Sequence, residues 1–75
     1  MEIPLSQLEI GKTAKVKRLV GGFGLQRKTL SLGIRVGKSI KVISSQPFRG
    51  PTIVEVDSMR IAIGRGIANK IIVSV

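Results

Sequence analysis

The chain contains no cysteine and no histidine. Without thiols there is no disulfide scaffold and no thiolate metal site. Without imidazole the commonest general base and the commonest metal ligand are both missing. Tryptophan and tyrosine are absent as well, and the only aromatic residues are Phe23 and Phe48. Platforms on which nucleobases stack are therefore scarce. Carboxylates are also few: Glu2, Glu9, Glu55 and Asp57. No apolar run approaches the length of a membrane span. The start, Met1-Glu2-Ile3-Pro4, lacks the basic and apolar regions of a secretory signal. These absences lead us to expect a soluble intracellular chain.

Against that stands a large surplus of cations. Thirteen Lys and Arg residues give a formal net charge of +9. Such a balance attracts an anionic partner, whether nucleic acid, lipid headgroup or acidic protein surface. Apolar residues, mostly Ile, Val and Leu, make up 43% of the 75 residues. That is rich for a chain with so much surface, so some apolar side chains are expected to lie against a partner or a second copy. The length fits one domain, 1–75, too small to enclose a deep substrate cavity.

Glycine and proline punctuate the chain. A short lead-in carries Leu5 and Leu8. Residues 13–19 alternate, with Ala14 and Val16 on one side and Lys15 and Lys17 on the other, as a half-buried strand requires. Gly21, Gly22 and Gly24 break it. Residues 25–32 suit a short helix, because Leu25, Thr29 and Leu32 fall on one stripe and Gly33 can end it in a left-handed conformation. Residues 39–44 form a strand with Ile40 and Val42 inward. The segment Pro47-Phe48-Arg49-Gly50-Pro51 is a loop. Residues 52–63 read as a hairpin with Asp57 and Ser58 at the tip. That register sets Val56 opposite Met59 and Val54 opposite Ile61 on one face, and Glu55 opposite Arg60 on the other. Residues 67–69 form one helical turn, and 70–75 a last strand with Ile71 and Val73 inward. The sum is a mainly β fold: five short strands closing into a small barrel, with one short helix after the first strand.

Two motifs invite sharper readings. Gly33-Ile34-Arg35-Val36-Gly37-Lys38-Ser39 resembles a phosphate loop but is one residue short. It also leaves a helix for a strand, the reverse of the order that aims helix amides at phosphates. Its glycines read as turn residues. Gly21-Gly22-Phe23-Gly24 precedes the helix and reads as a backbone bend. Catalysis lacks its parts, since no histidine activates a Ser or Thr. Arg60 is placed to neutralise Glu55, and Asp57 to make a turn. Those two carboxylates are what remains for a weak transition-metal site.

The ordered series of residues resembles the FeoA family. It comprises Leu5-Ser6-Gln7-Leu8, Gly11, Ala14-Lys15-Val16, Gly21-Gly22, Leu25, and Leu32-Gly33-Ile34 through to Gly37. Ile40-Lys41-Val42, Pro47, Gly50-Pro51, Val54, Val56, Arg60 to Arg65 and Ala68 to Val73 complete it. The match spans essentially the whole chain. The resemblance implies an SH3-like barrel, and the missing catalytic groups lead us to expect no cofactor and no enzymatic activity. It further implies an accessory or regulatory role in ferrous iron uptake, with the cytoplasmic part of the FeoB membrane iron transporter as the partner. That partner would recruit the chain to the inner face of the cell membrane. Transition-metal binding is also attached to the family at a general level. Partner-binding candidates are Phe23, Arg27 and Lys28 at the helix and Phe48 and Arg49 in the proline-flanked loop, since aromatic and Arg residues are the usual interface anchors. Phe23 has a second reading, as a plug for one end of the barrel. The alternative function is RNA or DNA binding through a stripe of Lys15, Lys17, Arg18, Lys41 and Arg49.

Overall fold

The computed structural model describes residues 1–46 and 50–75. Six strands make one antiparallel sheet: β1 (Glu2–Pro4), β2 (Thr13–Leu19), β3 (Ser39–Ser45), β4 (Thr52–Val56), β5 (Met59–Ile63) and β6 (Ile71–Ser74). A turn of 3-10 helix, Leu5–Gln7, follows β1. Helix α1 (Phe23–Ser31) lies between β2 and β3, and α2 (Arg65–Ala68) leads into β6. The hydrogen-bonded order is β1-β6-β2-β3-β4-β5.

The sheet is curled. The Cα extents of the whole chain are 28 × 24 × 23 Å, nearly equal in all directions, whereas a flat sheet is a layer only about 10 Å deep. Curling lets strands from both ends share one core. Val54 and Ile63 from one end, Ile71 and Val73 from the other, and Val16 and Ile40 between them belong to a single buried cluster. Alternation places them there. Ala14 and Val16 are buried between exposed lysines, and Ile40 and Val42 flank an exposed Lys41.

Two expectations change. Among the described residues there are six strands rather than five, because Glu2–Pro4 pairs with β6, Ile3 lying opposite Val73. Three residues ending in proline show no alternation, and Pro4 is tolerated because it closes an edge strand. Helix α1 accordingly follows the second strand rather than the first, and it begins at Phe23, two residues early. The hairpin register is as expected: Val56 faces Met59, Val54 faces Ile61 and Glu55 faces Arg60. Asp57 and Ser58 carry φ of 50° and 67°, the positive pair that a two-residue I′ turn requires. Met59 sits on the apolar face yet remains exposed at its rim.

Candidate recognition groove

Helix α1 is placed by what surrounds it. At its start, Gly21 has φ +148°, and a Cβ there would press on the side chain of Leu25. The bend therefore depends on glycine at this position. At its end, Gly33 has φ +82°. The Ile34 N–H donates to Thr29 O at 2.9 Å and the Gly33 N–H to Leu30 O at 3.0 Å. This is the Schellman pattern, and it drives Ile34 fully into the core. Thr29 is the helix residue buried completely. Its hydroxyl donates to Leu25 O and Gln26 O, each at 3.1 Å, so no polar group is stranded there.

Beyond the helix, the chain is pinned to β2. The Gly37 N–H donates to Val16 O and the Val16 N–H to Lys38 O, both at 2.8 Å. Between this pinned segment and α1 runs an open groove with a cavity volume of ≈ 340 Å³. Leu19 and Ile34 line it from the core side. Phe23, Arg27 and Leu30 line it from α1, where they fall at i, i+4 and i+7 on one helical face. Arg35 and Val36 form the opposite wall.

The groove is apolar where solvent would be expected. Phe23 is 78% exposed, Leu30 57% and Val36 64%. Phe23 therefore does not plug the barrel. The Arg27 guanidinium carbon lies 5.7 Å from the centre of the Phe23 ring, a cation–π arrangement worth about 0.5–1 kcal/mol at an exposed site. It holds the ring and the charge side by side.

The sequence-expected residues are thus divided. Phe23 and Arg27 share the groove. Lys28 is exposed on α1 and does not line it. Phe48 and Arg49 lie outside the described residues. Leu30, Arg35 and Val36 were not expected. The Phe23, Arg27, Leu30 spacing would have revealed Leu30 had the helix been started at Phe23.

A larger concavity of ≈ 400 Å³ lies beside Met1, Ile3, Leu8 and Val75. It holds neither an aromatic nor an arginine side chain, the usual anchors of a protein interface. The carboxylates that might have formed a metal site are engaged otherwise. Asp57 pairs with Lys38 at 2.6 Å, and Glu55 with Arg60 at 3.9 Å. Among the described residues no group of three or more His, Cys, Asp or Glu side chains is placed to hold a metal ion.

Curled antiparallel sheet, short connecting helix and exposed apolar groove together define a small SH3-like β module. The sequence pattern of the FeoA domain matches residues 3–75, and the chain belongs to the FeoA family. It is 40% identical over 70 residues to a protein named as a candidate Fe(2+) transport protein A of Methanocaldococcus jannaschii, covering 93% of this chain and 83% of that one. Its structure is similar to the crystal structure of an iron uptake regulatory protein, FeoA. The TM-score is 0.92 at 37% identity, over 97% of this chain and 96% of the other. It is also similar to a manganese-dependent transcriptional repressor, with a TM-score of 0.89 at 26% identity. There the match covers 96% of this chain but 40% of the repressor.

Proposed function

We propose that this chain is an accessory protein of ferrous iron uptake that acts by holding the cytoplasmic part of the FeoB iron transporter in the groove beside α1. Family membership supports the process. The observation that carries the mode of action is Phe23, an aromatic side chain 78% exposed beside Arg27 at the mouth of an apolar groove. Leaving such a surface in water is unfavourable, and aromatic and Arg side chains are the residues that dominate protein interfaces. No described helix is long and apolar enough to cross a membrane; in this reading the transporter supplies the membrane attachment. The match to part of a repressor supports the same idea, since there the fold serves as one module of a larger protein.

The test is direct binding of the chain to the isolated cytoplasmic part of FeoB by calorimetry. Phe23→Ala is expected to weaken it at least about tenfold, as loss of an interface anchor does. The substitution is expected to cost no more than about 1 kcal/mol of stability, because the ring is exposed and its main intramolecular contact is the cation–π pair with Arg27. A folded protein that shows no binding refutes the proposal.

A further inference from the structure

We infer that the groove beside α1 is built for an acidic partner segment, one that seats a bulky apolar side chain between carboxylates. This rests on the reading of the chain as a protein-binding accessory and names the chemistry of what it holds. The lining sets the first half of that chemistry. Leu19 at the core side, backed by the buried Ile34, and Phe23, Leu30 and Val36 at the mouth offer carbon to an incoming side chain. Arg27 and Arg35 are the charged members of the lining, one on each wall. Neither has an acidic partner among the described residues.

The rest of the chain cannot supply that acid. All but Arg60, Arg65 and Lys70 of the 13 Lys and Arg residues lie between Glu9 and Glu55, a stretch without a single carboxylate. It contains both walls of the groove. Of the four carboxylates, Glu2 is paired with Arg18 at 3.4 Å, Asp57 with Lys38 at 2.6 Å and Glu55 with Arg60 at 3.9 Å, while Glu9 lines the separate concavity beside Met1. The positive field also extends past the groove. Lys15 and Lys17 line an adjoining depression that shares Val36 with it. A negative segment entering here gains at every step, and association is steered by the same field.

Charge and shape also decide between occupants. A second copy would bring a net charge of +9 against +9, with Glu9 its single side-chain carboxylate outside the described ion pairs, so self-docking is opposed. A bilayer meets protruding side chains, yet part of this lining is recessed: Leu19 is only partly exposed and packs against the core. A side chain projecting from a helix or extended segment reaches such a floor, and a flat interface does not.

The experiment uses the full chain labelled with nitrogen-15. It is titrated with three probes: an amphipathic peptide carrying Leu at i, i+3 and i+7 flanked by Glu, the same peptide with Lys in place of Glu, and vesicles rich in phosphatidylglycerol. The Glu peptide is expected to shift the amides of Phe23, Arg27, Leu30 and Ile34 to Val36. Its affinity should fall severalfold between about 50 and 200 mM salt as screening shortens the reach of the charges. The double variant Arg27→Glu with Arg35→Glu should weaken the Glu peptide at least about tenfold and should bind the Lys peptide better than the native chain does. Both arginines are exposed, and circular dichroism checks that the variant folds.

The inference is overturned if the native chain takes the Lys peptide as well as the Glu peptide, if the shifts map to another face, or if only the vesicles bind. The same double variant separates the two readings. Undiminished binding to the FeoB cytoplasmic part would overturn the acidic-segment inference while leaving the accessory role standing. Binding of the Glu peptide without binding of FeoB would do the reverse.

Discussion

One substitution, glycine to alanine, should have opposite effects at the two ends of α1. Gly33 adopts φ +82° after the helix, and a Cβ there would meet nothing within 4 Å. No steric clash obscures the measurement. What alanine loses is conformational: a left-handed backbone costs a non-glycine residue about 1–2 kcal/mol. Part is returned, since alanine gives up less freedom on folding, about 0.4–1 kcal/mol. The net expectation for Gly33→Ala is a loss of about 1 kcal/mol. Gly24 stands inside α1, its Cβ position is also open, and its φ is not positive. There alanine should stabilise by about 0.5–1 kcal/mol, through helix propensity and the same unfolded-state effect. The two variants should therefore differ by about 1.5–2 kcal/mol. At roughly 4–8 °C per kcal/mol for a domain of this size, their melting temperatures should separate by about 6 °C or more. Thermal and urea unfolding followed by circular dichroism measure both. If Gly33→Ala is neutral or stabilising, the Schellman ending does not set the helix length, and the placement of Ile34 and Val36 in the groove needs another cause.

Other perturbations test other parts of the fold. Ser58→Gly, at φ 67° in the hairpin tip, should stabilise by about 0.5 kcal/mol, by relieving a left-handed non-glycine residue. A decrease in the urea midpoint would contradict the turn geometry. Ile40→Ala removes a fully buried side chain from β3. It should cost about 2–5 kcal/mol, a large share of the total of about 4–11 kcal/mol that a chain of this length is expected to have. A variant with an unchanged midpoint would mean that β3 does not face the core.

Much of the sheet could be read from alternation. A two-residue period leaves one face buried, so Ala14 and Val16, Ile40 and Val42, and Ile71 and Val73 announce their own orientation. The β4–β5 register was fixed because one pairing satisfied an apolar face and an opposite-charge pair together. Strand β1 carried no such signal. Its three residues become a strand only because β6 offers a free edge beside them. Half of the groove was likewise visible. Phe23 and Arg27 stand out as an aromatic and an arginine near a helix start, whereas Val36 is an ordinary valine until its exposure is known. Lys28 follows Arg27 in sequence but points away from the groove, since neighbouring helix positions differ by about 100°.

The absences with which the sequence was first approached keep their force. Lack of cysteine and histidine, and the scarcity of acid, were determined by the amino-acid sequence alone. So were the strong positive charge and the inward and outward faces of the longer strands, because composition and period are local properties. The tertiary structure alone decided where the charge has no counterpart. Folding brings Lys38 to Asp57, Arg18 to Glu2 and Arg60 to Glu55, which leaves Arg27 and Arg35 in the lining of one apolar groove without an acidic partner among the described residues. That placement depends on which distant residues the curled sheet brings together, and spacing along the chain does not encode it.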